Sequence, residues 1–230
     1  MPVKSYGVTT HMNNARHRHI VYAEITRDSR AVRQEFVHVF DKKNQAFAGQ
    51  MGEALSYWLD QYSSAQSDER KIKVFALAYT AISLHISSMK LFLSGQQVAA
   101  GNLMRQVLET IALTYLCTDK GLTFLQRFHD GKYSTNRAIA DAKRHSVRLN
   151  ISKTAMSKLE FAQRFYSKFS HPTVMTVGTL ESFEGEGIYL GAAYDPGKHR
   201  DYEVEIDNRL KLATLFVGFL RSVHQNLDAS

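Results

Sequence analysis

The chain has 230 residues, of which 44% are hydrophobic, enough for a sizeable core in one large domain. Its 29 lysines and arginines exceed its 22 acidic residues, which gives a net charge of +7, and its single cysteine excludes an internal disulfide. No uninterrupted apolar run reaches the roughly 18 residues of a membrane span, and the first residues lack the core of a secretion signal. We therefore expect a cytoplasmic protein without a membrane partner.

Apolar residues spaced three or four apart predict a mostly α-helical fold. We expect an N-terminal arm over residues 1–26, in which "HIVYAEI" is compatible with a short strand, and a single helical-bundle domain over residues 27–230. The first long helix is predicted over residues 28–62 as one amphipathic segment. Glycine weakens a helix by about 1 kcal/mol, so a kink or a close helix contact is expected near Gly49 and Gly52.

Two apolar helices follow and form the predicted centre of the bundle. The segment over residues 69–93 keeps helical spacing, and the segment over residues 96–117 is apolar on nearly every side, as is typical of a central helix. Gly121 is the predicted cap at its end. His85 lies between apolar positions of the first helix, where a satisfied core or boundary histidine is the ordinary interpretation.

A polar stripe interrupts the apolar surface of the central helix. Asn102, Arg105, Gln106 and Glu109 fall within an arc of about 100°. If the stripe is buried, Arg105 and Glu109 must pair, because an unpaired buried charge is very costly. Two interpretations stay open: a salt bridge that determines how helices pack, or a polar pocket that this pair forms with His85.

The positive charge is concentrated in residues 126–170, which contain ten lysines and arginines against three acidic residues. Three basic helices are predicted there, over about residues 121–130, 134–149 and 153–170, the last capped by Ser152. This asymmetry suggests a surface that faces a polyanion, although solvated lysine-rich helices have the same composition. The residues that we expect to hold an RNA backbone are Lys143, Arg144, Arg148, Lys153 and Lys168.

The amino-acid composition of the chain changes after Pro172, a residue that cannot continue a helix. A stretch rich in Gly, Val, Thr and Tyr predicts a small β-hairpin over about residues 175–194. Helical spacing returns over residues 202–227 and predicts one last helix that packs back on the bundle.

"QRFYSKFSHPT", residues 163–173, contains the candidate chemistry. On a helix Arg164 and His171 share a face but lie about 10 Å apart along the axis, so a joint site needs a second chain or a substrate that spans both. His171 can act as general base or acid on a ribose 2′-hydroxyl while Arg164 holds the phosphate, without metal or cofactor. Alternatively, His171 and Pro172 only end the helix, and Arg164 pairs with Glu160.

The helix order, "LMRQVLETIALTYL" and "YSKFSHP" resemble uncharacterised bacterial helical families grouped with the HEPN superfamily, over about residues 70–225. HEPN domains are helical bundles, often homodimeric, and many are metal-independent endoribonucleases of toxin or defence systems. Their signature is an arginine, four to six residues, and a histidine near a helix end, which Arg164 and His171 match with six residues between. The resemblance implies a homodimer that acts on RNA, with an antitoxin or regulatory protein as a further partner.

One position departs from the pattern of the active members. The residue after the arginine is usually polar in them, and it is Phe165 in this chain. Other members of the superfamily bind partners or nucleotides without cutting RNA. The alternative function is therefore a non-catalytic binding or regulatory protein, whose polar pocket of His85, Arg105, Glu109 and His171 holds a small anion or a partner segment.

Overall fold

The structure is a computed structural model that describes residues 13–65, 67–185 and 187–229. In these residues the chain forms eleven α-helices and three short 3₁₀ turns, and no strand. The helices are α1 (Asn13–Thr26), α2 (Arg30–Val39), α3 (Asp41–Ser64), α4 (Glu69–Leu93), α5 (Gln97–Cys117), α6 (Phe124–His129), α7 (Ala138–Arg144), α8 (Lys153–Ser167), α9 (Val174–Gly178), α10 (His199–Ala213) and α11 (Phe216–Asp228). The prediction of a mostly helical fold is confirmed.

The pair α4 and α5 forms the centre of the bundle, as predicted. A short turn over residues 94–96 joins them, and α5 also contacts α7 and α8. Helix α3 contacts both α10 and α11, all three of these helices contact α4, and α11 also contacts α5. Helices α7 and α8 therefore reach the core through α5 and leave their other faces for solvent.

Helix α4 is long and apolar enough, by length and composition alone, to cross a membrane. Core helices of soluble proteins share this property. Its buried side packs in the bundle and includes two polar side chains that bond internally. The hydroxyl of Ser88 donates to the carbonyl of Ala100 at 2.9 Å, and His85 bonds to the carbonyl of Arg209 at 3.0 Å. The packing of α4 against α3, α5 and α10 buries part of this apolar segment.

The turn between α4 and α5 requires glycine at position 95. Gly95 has a φ of +75°, which L side chains rarely adopt. A Cβ atom there would lie 2.8 Å from Cγ1 of Val32 and 2.9 Å from the carbonyl oxygen of Ala193. The turn thus brings three distant parts of the chain together.

Gly101 on α5 allows close contact with the segment after α8. An added Cβ would overlap the ring of Phe169. We therefore expect Gly101→Ala to lower the free energy of unfolding by about 1–3 kcal/mol, since overpacking forces the ring and its backbone to move. Urea unfolding measures this change. Gly49→Ala on α3 is the control, because its methyl group meets no atom within 4 Å. Equal loss in both variants would contradict the close contact.

The single helix predicted over residues 28–62 is wrong. The chain changes direction at Phe40, which has φ −113° and ψ 25° and separates α2 from α3. The buried ring of Phe40 stacks on His199, with 5.4 Å between the ring centroids. This contact with a distant helix stabilises the bend. Helix α3 continues through Gly49 and Gly52, and a Cβ atom at either position would meet no atom within 4 Å, so the close helix contact considered there is not formed.

Two helix ends also differ from the prediction. The last helix, predicted over residues 202–227, is divided into α10 and α11. The hydroxyl of Thr214 donates to the carbonyl of Lys211 at 2.8 Å and so satisfies a backbone group where α10 ends. At the end of α5 the capping position is Thr118, while Gly121 belongs to the 3₁₀ turn that follows.

The predicted N-terminal arm has a helical part. Residues 1–12 lie outside the described residues, and α1 covers residues 13–26, so the short strand considered for "HIVYAEI" is wrong. A strand needs a neighbour for its backbone hydrogen bonds, whereas a helix satisfies its own. Arg27 follows α1, forms an ion pair with Glu24 at 2.8 Å and donates to the carbonyl of Ala192 at 2.7 Å.

The β-hairpin predicted over residues 175–194 is not supported by the described residues. The segment begins within the short helix α9 rather than in a strand. An isolated antiparallel bridge joins Glu181 and Ile188, and Glu186 of the predicted turn lies outside the described residues. A single bridge provides too few backbone hydrogen bonds between strands for a stable hairpin.

Hydrogen bonds of buried side chains, and not the full set of backbone hydrogen bonds of a β-hairpin, hold this segment. The buried carboxylate of Asp195 accepts the backbone N–H of Phe183 at 2.8 Å. The buried ammonium of Lys198 donates to the carbonyl of Thr179 at 3.0 Å and lies 5.1 Å from the centroid of the Phe183 ring. Burial lowers the pKa of Lys198. Side chains at the base of the loop therefore determine its course.

Candidate functional site

Helix α8 presents a row of exposed side chains. It begins as predicted at Ser152, whose hydroxyl accepts the N–H of Ala155 at 3.4 Å, and it buries Met156 and Tyr166. At about 100° per residue, five exposed residues share an arc of about 80° on the opposite side. We call these residues the α8 outer face: Lys153, Ser157, Phe161, Arg164 and Lys168.

The five residues predicted to hold RNA differ in how they are paired. Three of them form ion pairs with acidic residues of the same chain. Lys143 pairs with Glu160 at 2.7 Å, Arg144 with Asp141 at 3.2 Å, and Arg148 with Asp119 through two hydrogen bonds. The hydrogen bonds from Lys143 and Arg148 lower the pKa of Glu160 and Asp119 respectively. Lys153 and Lys168, both on the α8 outer face, form no ion pair with any described residue.

Arg164 is exposed on the α8 outer face, with 72% of its side chain accessible. The predicted ion pair with Glu160 is present at 3.5 Å. No hydrogen bond or ion pair between described residues joins Arg164 to His171. The expectation that this pair does not meet directly within one chain therefore agrees with the contacts.

His171 lies in a linker after α8, not within the helix. The helix ends at Ser167, and the next three residues bond back three positions instead of four: Lys168 to Phe165, Phe169 to Tyr166 and Ser170 to Ser167, each at 3.1 Å. The helix predicted as far as Ser170 thus ends in a tighter 3₁₀-type turn. The imidazole of His171 is exposed.

The polar stripe of α5 holds this linker from one side. Arg105 Nη1 donates to the hydroxyl of Ser170 at 3.2 Å, and that hydroxyl donates to Oδ1 of Asn102 at 2.6 Å. Arg105 Nε also donates to the buried carboxylate of Glu109 at 2.8 Å, and Gln163 donates to the same oxygen at 2.9 Å. The stripe therefore contains the predicted salt bridge, which fixes the residue just before His171.

A capping box holds the linker from the other side. The hydroxyl of Thr173 accepts the N–H of Thr176 at 3.3 Å, and the hydroxyl of Thr176 accepts the N–H of Thr173 at 2.8 Å. Thr173 also donates to the carbonyl of Lys168 at 3.0 Å. The backbone around His171 is thus fixed on both sides while its ring faces solvent, which suits a histidine that exchanges a proton with a bound substrate.

His85 contacts α10 and α11 instead of the stripe with which it was grouped. Its ring stacks on Phe216 with 5.2 Å between centroids, and its Nε2 donates to the carbonyl of Arg209 at 3.0 Å. A carbonyl only accepts, so Nε2 carries the proton and the buried Nδ1 has no partner. Burial lowers the pKa of His85 to about 3. None of these contacts links His85 to Arg105 or Glu109, so the contacts of the described residues do not support the grouping of His85 with them in one pocket.

Sequence reasoning missed an ion pair on α10 whose arginine is fully buried. Arg209 has an exposed fraction of 0%, and its Nη1 donates to the carboxylate of Glu205 at 2.6 Å. Its Nε donates to Ser88 on α4 at 3.2 Å, and its guanidinium lies 4.7 Å from the ring centroid of Phe92. The available signal was an acid and an arginine four residues apart, next to the apolar positions of an amphipathic helix.

The exposure of Phe161 was also missed. Its side chain is 73% exposed, on the face of α8 that carries the cations. A helical projection of "KTAMSKLEFAQRFYSK" puts Phe161 at the edge of the arc that contains Lys153, Arg164 and Lys168, so its place on this face could be read from the sequence, whereas the absence of a covering element could not.

No protein-family model matches the chain, and no curated protein and no solved structure is significantly similar to it. The resemblance to HEPN-related families therefore stays a prediction. Within residues 13–65, 67–185 and 187–229, no three histidine, cysteine, aspartate or glutamate side chains lie close enough to hold a metal ion together.

Proposed function

We propose that this protein is a HEPN-like protein that binds RNA along the α8 outer face and cleaves it without a metal ion. The observation that carries the proposal is one row of exposed cations, Lys153, Arg164 and Lys168, which leads along α8 toward the exposed His171. A phosphate backbone is held by such cations whatever its base sequence. RNA laid along α8 would contact phosphate-binding and proton-transferring groups in turn.

The pairing of the cations makes their expected contributions unequal. Arg148 must share its guanidinium with Asp119, which already accepts two hydrogen bonds from it. Lys153 and Lys168 form no ion pair with a described residue, so a phosphate meets no competing carboxylate there. We expect these two lysines to contribute more to RNA affinity than Arg148.

The salt dependence of RNA binding tests this expectation. Each phosphate contact with a single strand contributes about −0.7 to the slope of log K against log salt. The double variant Lys153→Ala/Lys168→Ala should lose about 1.4 from that slope, and on the order of tenfold in affinity at 0.1 M salt. The control, Lys42→Ala/Lys211→Ala, removes the same charge from exposed sites on α3 and α10. Equal slopes for the two double variants would contradict the proposed RNA path.

Cleavage is proposed as a transesterification within the RNA. His171 takes the proton of a ribose 2′-hydroxyl, and the 2′-oxygen bonds to the adjacent phosphorus. The bond from that phosphorus to the 5′-oxygen of the next nucleotide breaks, and this oxygen takes up a proton from solvent, to which the protonated His171 then returns its own. Because Arg164 and His171 of one chain lie too far apart to act on one phosphate, the arginine that neutralises the charge on this phosphate during the step is Arg164 of a second copy of the chain. Phe165 packs on the ring of Tyr166 with 5.1 Å between centroids, so it need not obstruct the α8 outer face.

Single substitutions test the cleavage step. We expect His171→Ala and Arg164→Ala each to lower the rate of RNA cleavage in EDTA by about 100-fold, the usual effect of losing one acid–base or charge-stabilising group. His38→Ala, which removes an exposed histidine on α2, is the control and should cleave at the wild-type rate. Undiminished cleavage in both site variants would exclude the proposed step.

RNA binding without cleavage is the second candidate function. It is favoured by the ion pair of Arg164 with Glu160. Glu160 lies one turn before Arg164 on α8, so this pair draws the guanidinium away from the end of the helix near His171. Under this candidate the salt-dependent binding persists and no cleavage occurs in the wild type. The two functions are thus separated by one assay on the unmodified chain.

A further inference from the structure

Phe161 stands apart from the other aromatic residues in its part of the chain. Phe165, Tyr166 and Phe169 contact one another, with ring centroids 5.1 to 6.1 Å apart. Phe161 is 73% exposed and makes no ring contact with a described residue. Since burying a phenylalanine contributes about 1.5–3 kcal/mol, an exposed one forgoes most of that stabilisation. Phe161 therefore does little for the core.

The charges around Phe161 indicate what its ring would meet. Arg164 follows it by one helical turn, and Lys153 and Lys168 lie about 12 Å and about 10 Å from it along the helix axis, on the same face. A partner that fits this surface must bring negative charge on both sides of a flat apolar group. A nucleotide strand with an unpaired base has this arrangement, because every base has a face that stacks on an aromatic ring.

We infer that the RNA recognised by this protein is single-stranded and that one unpaired base stacks on Phe161 while neighbouring phosphates bind Arg164 and Lys168. This rests on the RNA binding proposed above and names the substrate class for the same surface. In a duplex the bases are stacked on one another, so a ring on a convex helix reaches none of them except at the ends. Phe161 thus selects single strands, and the cations bind either form.

Binding of a labelled single strand and of a duplex of the same composition tests this inference. Loss of one stacked base costs about 5- to 150-fold in affinity. We expect this loss for the single strand in Phe161→Ala and an unchanged affinity for the duplex. Phe161→Trp should keep single-strand binding, because its larger ring stacks at least as well. Leu215→Ala, which trims another side chain with 63% exposure, is the matched control and should alter neither affinity.

The outcomes separate this inference from the proposed function. If the wild type binds neither RNA, both fail. If it binds both forms and Phe161→Ala changes neither affinity, RNA binding stands and the stacking site is overturned. If sedimentation shows that Phe161→Ala instead abolishes a wild-type dimer at unchanged RNA affinity, the exposed ring is a contact between copies and the inference is likewise overturned. A selective loss of single-strand affinity in a variant with the wild-type circular dichroism spectrum supports it.

Discussion

Arg209→Met is expected to lower the free energy of unfolding by about 3–5 kcal/mol. The substitution keeps a long side chain but leaves the carboxylate of Glu205 in the core without its cation. It also removes the hydrogen bond that Arg209 Nε donates to the hydroxyl of Ser88 at 3.2 Å. The guanidinium above the ring of Phe92 is lost as well. Urea unfolding at neutral pH measures the change through the midpoint and the slope.

The same ion pair belongs to a chain of hydrogen bonds that connects four helices. Glu205 and Arg209 belong to α10, and Ser88, which accepts from Arg209, donates to the carbonyl of Ala100 on α5. The hydroxyl of Tyr166 on α8 donates to Glu205 at 3.3 Å. Burial and the neighbouring carboxylate raise the pKa of Tyr166, so it stays a protonated donor. Removal of the arginine thus affects the helix that carries the candidate site.

Two further variants distinguish charge burial from loss of packing. Arg200→Met removes an exposed arginine from the same helix and should change stability by less than about 0.5 kcal/mol. The double variant Arg209→Met/Glu205→Gln removes both charges of the pair and should recover most of the loss, since the cost comes from the uncompensated, largely buried carboxylate. A double variant as unstable as Arg209→Met would show that packing, not charge, dominates.

The stability of the wild type should fall on acidification because of His85. Burial lowers the pKa of this residue from its ordinary 6.5 to about 3. Between these values the unfolded chain binds a proton at this position and the native protein does not, so stability decreases as pH falls. The slope from one such proton is about 1.4 kcal/mol per pH unit, which amounts to about 3 kcal/mol between pH 6.5 and 4.

The geometry around His85 explains why protonation is unfavourable. Its Nε2 already donates to the carbonyl of Arg209, so an added proton must go to the buried Nδ1, which has no acceptor. The resulting imidazolium would lie in the core, stacked on Phe216 and close to the guanidinium of Arg209. Burial and the repulsion from Arg209 both act in the same direction.

Comparison with a non-titrating variant isolates this effect. His85→Gln can still donate to the carbonyl of Arg209 and lacks the titration, so its stability should depend less steeply on pH between 6.5 and 4.5. Carboxylates with a lowered pKa, such as Asp119 and Glu160, lose their contribution only at lower pH and do so in both proteins. Parallel pH profiles for the two proteins would show that His85 is protonated in the native state.

Much of the candidate site could be anticipated from local pattern. The stripe of α5 predicted the salt bridge of Arg105 with Glu109, because residues four apart on a helix are neighbours whatever surrounds them. The partners of that pair, Ser170 and Gln163, come from a segment more than fifty residues away, and no local rule selects them. The grouping of His85 with the stripe failed for this reason, since it required knowing which faces of α4 and α5 meet.

The amino-acid sequence by itself determined the mostly helical fold, the central pair α4 and α5, the start of α8 at Ser152 and the concentration of positive charge before Pro172. Periodicity, capping and charge are local properties, and the chain satisfies them one turn at a time. The tertiary structure alone decided the bend at Phe40, the buried position of Arg209 and the exposure of Phe161. Each of these depends on whether a distant element covers the side chain, which sequence spacing does not encode.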